Sequence, residues 1–71
     1  MVDFENLRGR MKSSGMTITA IAKKSGISRE TIYNRLKGVG EFTASEIDAL
    51  TKTLCLTKEE QEKIFFNSKV N

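Results

Sequence analysis

Ile18-Thr-Ala-Ile-Ala-Lys-Lys-Ser-Gly-Ile-Ser-Arg-Glu-Thr-Ile-Tyr-Asn-Arg-Leu-Lys37 is the stretch on which the reading of this chain turns. It holds two apolar stripes at helical spacing, separated by Lys24-Ser25-Gly26. Ile18, Ile21 and Ala22 form the inner face of one helix, for which Thr17 is the N-cap. Ile32 and Leu36 form the inner face of the next, for which Ser28 is the N-cap. Two helices crossing steeply over so short a turn need a small residue where their backbones approach, and Ala22 supplies it. They also need a residue that tolerates φ > 0 at the turn, and Gly26 supplies that. Ile21, Ile27 and Ile32 place apolar groups before, within and after the turn. Together these spacings predict a helix-turn-helix over residues 17–37.

Working outward, the same logic finds three more helices. Phe4, Leu7 and Met11 make an i, i+3, i+7 stripe behind Asp3 as N-cap, and Ser13-Ser14-Gly15 ends it. Beyond the breakers Gly38 and Gly40, two segments match the capping box: Thr43-Ala44-Ser45-Glu46 and Thr57-Lys58-Glu59-Glu60. The first opens a helix with Ile47, Leu50 and Leu54 inward, and the second a helix closing at Ile64-Phe65-Phe66. There is no proline and no alternating strand pattern. The expectation is one all-α domain, a compact five-helix bundle with helices over about 3–13, 17–25, 28–37, 44–54 and 58–66, and a frayed tail at 67–71.

Composition narrows the class of function. A chain of 71 residues holds one small core. Cys55 is its one cysteine and it has no histidine, so neither an intrachain disulfide nor a zinc site is expected, and no cofactor either. The absence of an imidazole base, of an activated thiol and of a phosphate-cradling glycine motif argues against an enzyme. The longest apolar runs are three residues, such as Ile64-Phe65-Phe66, and the first residues do not form a signal peptide. A soluble, cytoplasmic protein without a membrane partner is expected. The net charge of +3 is unevenly spread. Residues 1–40 carry eight Lys/Arg against Asp3, Glu5 and Glu30, or +5; residues 41–71 carry four Lys against six acids, or −2. A basic half beside an acidic half suits one face meeting a polyanion.

Thr17, Ile21-Ala22, Ser25-Gly26-Ile27-Ser28-Arg29, Thr31-Ile32, Leu36-Lys37-Gly38 and Glu41-Phe42-Thr43 together resemble the lambda-repressor-like family of phage repressors, Cro proteins and Xre-type regulators. The resemblance covers roughly residues 4–66. It implies a five-helix bundle whose third helix enters the major groove, as a dimer on a two-fold-related operator. It also puts Ser28, Arg29, Glu30 and Asn34 at base-reading positions. Two residues depart from the pattern: Ile18 stands where a polar groove contact is common, and Cys55 where glycine commonly ends the fourth helix.

Side-chain chemistry fits these roles unevenly. Arginine bonds guanine O6 and N7 together, asparagine bonds adenine, and glutamate accepts from cytosine N4. With Ile32 and Leu36 inward, Glu30, Asn34 and Lys37 point outward. Arg29 reaches bases only because it lies in the first turn. Glu30 also suits the helix dipole as a plain first-turn acid. Thr17, Thr31, Tyr33, Lys37 and the Gly38 amide are candidates for phosphate contact, which fixes register without reading sequence. Thr17 is equally a simple cap, and the Tyr33 ring could lie along the Lys37 stem. Lys23 and Lys24 read as solvated helix-end charges. Phe65 and Phe66 are candidates for core closure or for a dimer contact. The function expected is a sequence-specific double-stranded DNA-binding regulator of the phage-repressor or Cro kind. The alternatives are the antitoxin or autoregulator of a two-gene module, and a protein-interaction module on the same fold.

Overall fold

Each helix begins where a short oxygen-bearing side chain precedes an apolar stripe. The computed structural model describes residues 1–67, and in it the helices are α1 Phe4–Ser13, α2 Ile18–Ser25, α3 Arg29–Leu36, α4 Ala44–Thr53 and α5 Lys58–Phe65. No strand occurs among the described residues, so the all-α five-helix bundle is as expected. The five caps are Asp3, Thr17, Ser28, Thr43 and Thr57, each accepting a bond from the backbone amide three residues on, at 3.0–3.1 Å. Such a cap stabilises a helix by roughly 1 kcal/mol. At Thr43 and Thr57 the reciprocal bond is also present, from the cap amide to Glu46 at 3.1 Å and to Glu60 at 2.8 Å. The helices are a residue or two shorter than the stripes suggested, because cap residues lie half outside the helix.

Helix ends follow an equally local chemistry. After α3, Gly38 takes φ +86°, letting its amide reach the Arg35 carbonyl at 3.0 Å and the Val39 amide reach the Asn34 carbonyl at 2.8 Å. After α4 the same pair of bonds recurs. The Cys55 amide meets the Lys52 carbonyl at 3.3 Å, and the Leu56 amide the Thr51 carbonyl at 2.9 Å. Both are Schellman closures, which want a left-handed residue, usually glycine. Cys55 fills that role at φ 55°, the one non-glycine residue with positive φ among those described. The departure seen in the sequence at this position is thus a point of backbone strain.

The core draws one fully buried side chain from each of four helices, namely Leu7, Ile21, Leu50 and Ile64, and α3 adds Ile32. α4 lies most extensively against α2, while α5 closes the bundle over α1 and α4. From the loop before α4, Phe42 meets Phe65 edge to face, with ring centroids 5.2 Å apart. Phe65 is therefore core, at 4% exposure. That corrects its candidacy as a dimer contact, since it offers a second molecule almost no surface. Phe66, one residue on and rotated by about 100°, is 58% exposed.

Both capping-box glutamates also hold a distant helix. Arg35 grips Glu46 with a two-pronged fork, Nε to Oε1 at 3.1 Å and Nη2 to Oε2 at 3.2 Å. Arg10 of α1 pairs with Glu60 of α5. Partial burial pushes the Glu46 carboxyl up, but the Arg35 bonds, the Thr43 amide and the Arg35 charge outweigh it and hold it below its ordinary range. Glu60 is lowered first by the Thr57 amide; desolvation pushes it up, and the Arg10 bond and charge lower it further, leaving it below its ordinary value.

Candidate nucleic-acid interface

The turn between α2 and α3 is short because Gly26 makes it so. Gly26 adopts φ +80° and its amide returns to the Ala22 carbonyl at 2.9 Å. Ser25 Oγ accepts from the Ile27 amide at 3.2 Å, and Ile27 packs against the core. Ser28 then starts α3. With Ile21 and Ile32 buried on either side of the turn, the two helices are fixed as one unit. α3 spans eight residues, about 12 Å at 1.5 Å per residue, comparable with the width of a DNA major groove.

Ser28, Arg29 and Glu30 all lie on the surface, and Tyr33 and Lys37 continue an exposed stripe along α3. Asn34 and Thr31 are half-buried on its flanks. Thr17 is exposed and acts as the α2 cap. No described ion pair joins Glu30 to α3's own cations; the described ion pairs are Arg10–Glu60, Arg35–Glu46 and Lys52–Asp48.

Hydrogen bonding refines what these groups could do. Ser28 Oγ accepts from the Thr31 amide and donates to Thr31 Oγ1 at 2.9 Å. With its proton so engaged, Ser28 is left as an acceptor, whereas the Thr31 hydroxyl keeps a proton to donate, as a phosphate contact requires. Arg29 places Nη1 3.3 Å from the Thr19 hydroxyl on α2. The Gly38 amide, expected to be a phosphate donor, is corrected by its bond to the Arg35 carbonyl: the donor closes α3 instead.

Three further cations, Arg35, Arg8 and Lys12, lie around α3 and the start of α2 without standing out in the sequence as site residues. Arg35 is engaged within the fold at three points, since beyond its two bonds to Glu46 it donates Nη1 to the Val39 carbonyl at 3.2 Å. It positions α3 and is not a free groove contact. Arg8 donates Nη2 to the Leu36 carbonyl at 2.6 Å, setting a guanidinium at the negative end of the α3 dipole. Arg8 and Lys12 also line a shallow groove with Thr17, Ile18 and Leu36, between α1 and the start of α2. Their i, i+4 spacing on α1 was the signal that could have marked them. Ile18 packs its side chain toward the core, which accounts for an apolar residue at the first position of α2.

Among the described residues no helix is long and apolar enough to cross a membrane, and no cluster of three or more His, Cys, Asp or Glu side chains could hold a metal ion. Residues 5–38 match the model of a family described as the helix-turn-helix domain of resolvase. That span runs from α1 through Gly38 and is just under half of the 71 residues. No curated protein and no solved structure matches the chain significantly. The match supports helix-turn-helix character and does not single out the lambda-repressor-like branch. Turn geometry and family match meet in one conclusion: the chain is an all-α bundle built around a helix-turn-helix.

Proposed function

We propose that this protein is a sequence-specific double-stranded DNA-binding regulator, of the phage-repressor or Cro kind, that lays the first turns of α3 in the major groove. The observation that carries this reading is the open, rigidly held start of α3. Ser28, Arg29 and Glu30 are exposed, while Ile32 and the Arg35–Glu46 fork fasten the same helix from behind. In this reading Arg29 and Asn34 read bases, with Ser28 and Glu30 beside them. Thr17, Thr31, Tyr33 and Lys37 meet phosphates, joined by Arg8 and Lys12 at the α2 start. One module of this size covers roughly 600–1,000 Å² of its own surface on DNA, thin for tight specific binding. Two copies on half-sites about 34 Å apart are therefore expected, with the exposed Phe66 available to the contact between them.

The test is duplex binding across a salt series, first with a randomised library and then with the selected site. Affinity should fall linearly in log–log terms as counterions are released. Arg29→Ala should relax preference at one base pair, while Lys37→Ala should weaken all duplexes alike. Absence of binding to any duplex at low salt refutes the proposal.

A further inference from the structure

Arg29 is not left to sweep freely from the start of α3. Its Nη1 lies 3.3 Å from the Thr19 hydroxyl, on the second residue of α2 and ten residues back in the chain. Both residues are exposed, so this bond is not a by-product of core packing. A guanidinium has two edges that can present a pair of parallel N–H groups: its end, formed by Nη1 and Nη2, and its side, formed by Nε and Nη2. A hydroxyl on Nη1 leaves the side edge whole. The same side is the one Arg35 uses on Glu46, so this chain already contains a working example of that fork.

We propose that Thr19 is a positioning residue that sets base preference: it holds Arg29 by Nη1 so that the Nε/Nη2 edge meets the O6 and N7 acceptors of one guanine. The inference rests on α3 reading DNA as proposed above. Thr19 itself touches no base. Its hydroxyl reduces the freedom Arg29 loses on binding, since a long side chain held in place before contact has less to give up. It also leaves a different side-chain requirement at each of two positions: an acceptor hydroxyl at 19 and a forked cation at 29.

The experiment uses the full chain and the site selected by it from a random duplex library. For each variant the readout is the ratio of affinities for that site and for the same site carrying 7-deazaguanine, which lacks the N7 acceptor, at the guanine that Arg29→Ala makes irrelevant. Thr19→Val keeps shape and loses the acceptor. It should lower this ratio by about three- to tenfold, the range for one net hydrogen bond. Thr19→Ser should restore it. Thr19→Ala, with the better helix former, should behave as Thr19→Val does, which separates the effect from helix stability. An unchanged ratio in Thr19→Val, or an equal loss on both duplexes, overturns the role given to Thr19. If the wild type selects no site, or Arg29→Ala exposes no such guanine, it is the base-reading assignment that falls instead.

Discussion

Replacing Gly40 by alanine should damage this fold more than the same change at Gly38, although both glycines follow α3 and both have φ near +80° (+73° and +86°). The backbone cost of a left-handed non-glycine residue is roughly 1–2 kcal/mol and applies to both. What differs is the space a methyl group would enter. At Gly38 nothing lies within 4 Å, whereas at Gly40 the methyl lands on Arg35 Nη1, with Cζ at 3.2 Å. A free arginine would swing aside at little cost. This one is tethered at three points, to Glu46 twice and to the Val39 carbonyl. Losing the Val39 bond costs about 1 kcal/mol, and disturbing the partly exposed ion pair up to about 1 more. The excess of Gly40→Ala over Gly38→Ala is then about 1–2 kcal/mol. In a domain of this size that is a further fall in Tm of roughly 4–15 °C. Thermal and urea melts followed by far-UV circular dichroism measure both variants. In an Arg35→Met background the two alanine substitutions should cost the same. Equal costs in the wild-type background, or an excess that survives Arg35→Met, would falsify the tether.

Two further outcomes follow from the same kinds of contact. Cys55→Gly should raise stability by about 0.5–1 kcal/mol by removing left-handed strain from the α4 closure, less the entropy glycine adds to the unfolded chain; a lower Tm would contradict the strain. Glu46 and Glu60 have folded carboxyls held below the ordinary value of 4.5, so their contribution is present above that value and lost as pH falls through the folded one. Melting temperature should therefore decline below about pH 4.5, and Glu46→Gln should flatten part of that decline; an unaltered acid limb would count against the Arg35 fork as its source.

Most of the architecture was legible because its determinants are local. A cap and the amide it serves are three residues apart, and a buried stripe repeats within one helix. Thr43 with Glu46 and Thr57 with Glu60 could therefore be placed from the letters alone. Gly26 could be placed for the same reason, since the need for positive φ arises within a single turn. The outer face of α3 was legible in part: Glu30 and Lys37 are exposed as the helical spacing predicts, whereas Asn34, placed outward with them, is half-buried. What escaped were facts that depend on how helices meet. Phe65 and Phe66 are neighbours of identical chemistry, and it is the packing of α5 on the rest of the bundle, Phe42 included, that buries Phe65 and leaves Phe66 exposed. Arg35 counted toward a basic half until the start of α4 proved to hold its partner, eleven residues on. The Gly38 amide was a free donor only until the Arg35 carbonyl claimed it.

Glu46 Oε1 accepts from two donors at once, the Thr43 amide and Arg35 Nε, so a single oxygen atom answers to both α4 and α3. Such an atom makes two positions epistatic. Substituting Arg35 leaves the Glu46 carboxylate with the Thr43 amide alone, and substituting Glu46 leaves the Arg35 guanidinium with the Val39 carbonyl alone, so the effects of the two changes should not add. Anyone reprogramming the chain toward a new target can use the same linkage: diversify Arg29, Glu30, Tyr33 and Asn34 and leave Ser28, Ile32, Arg35 and Glu46 untouched, because randomising those would confound altered recognition with a tilted scaffold.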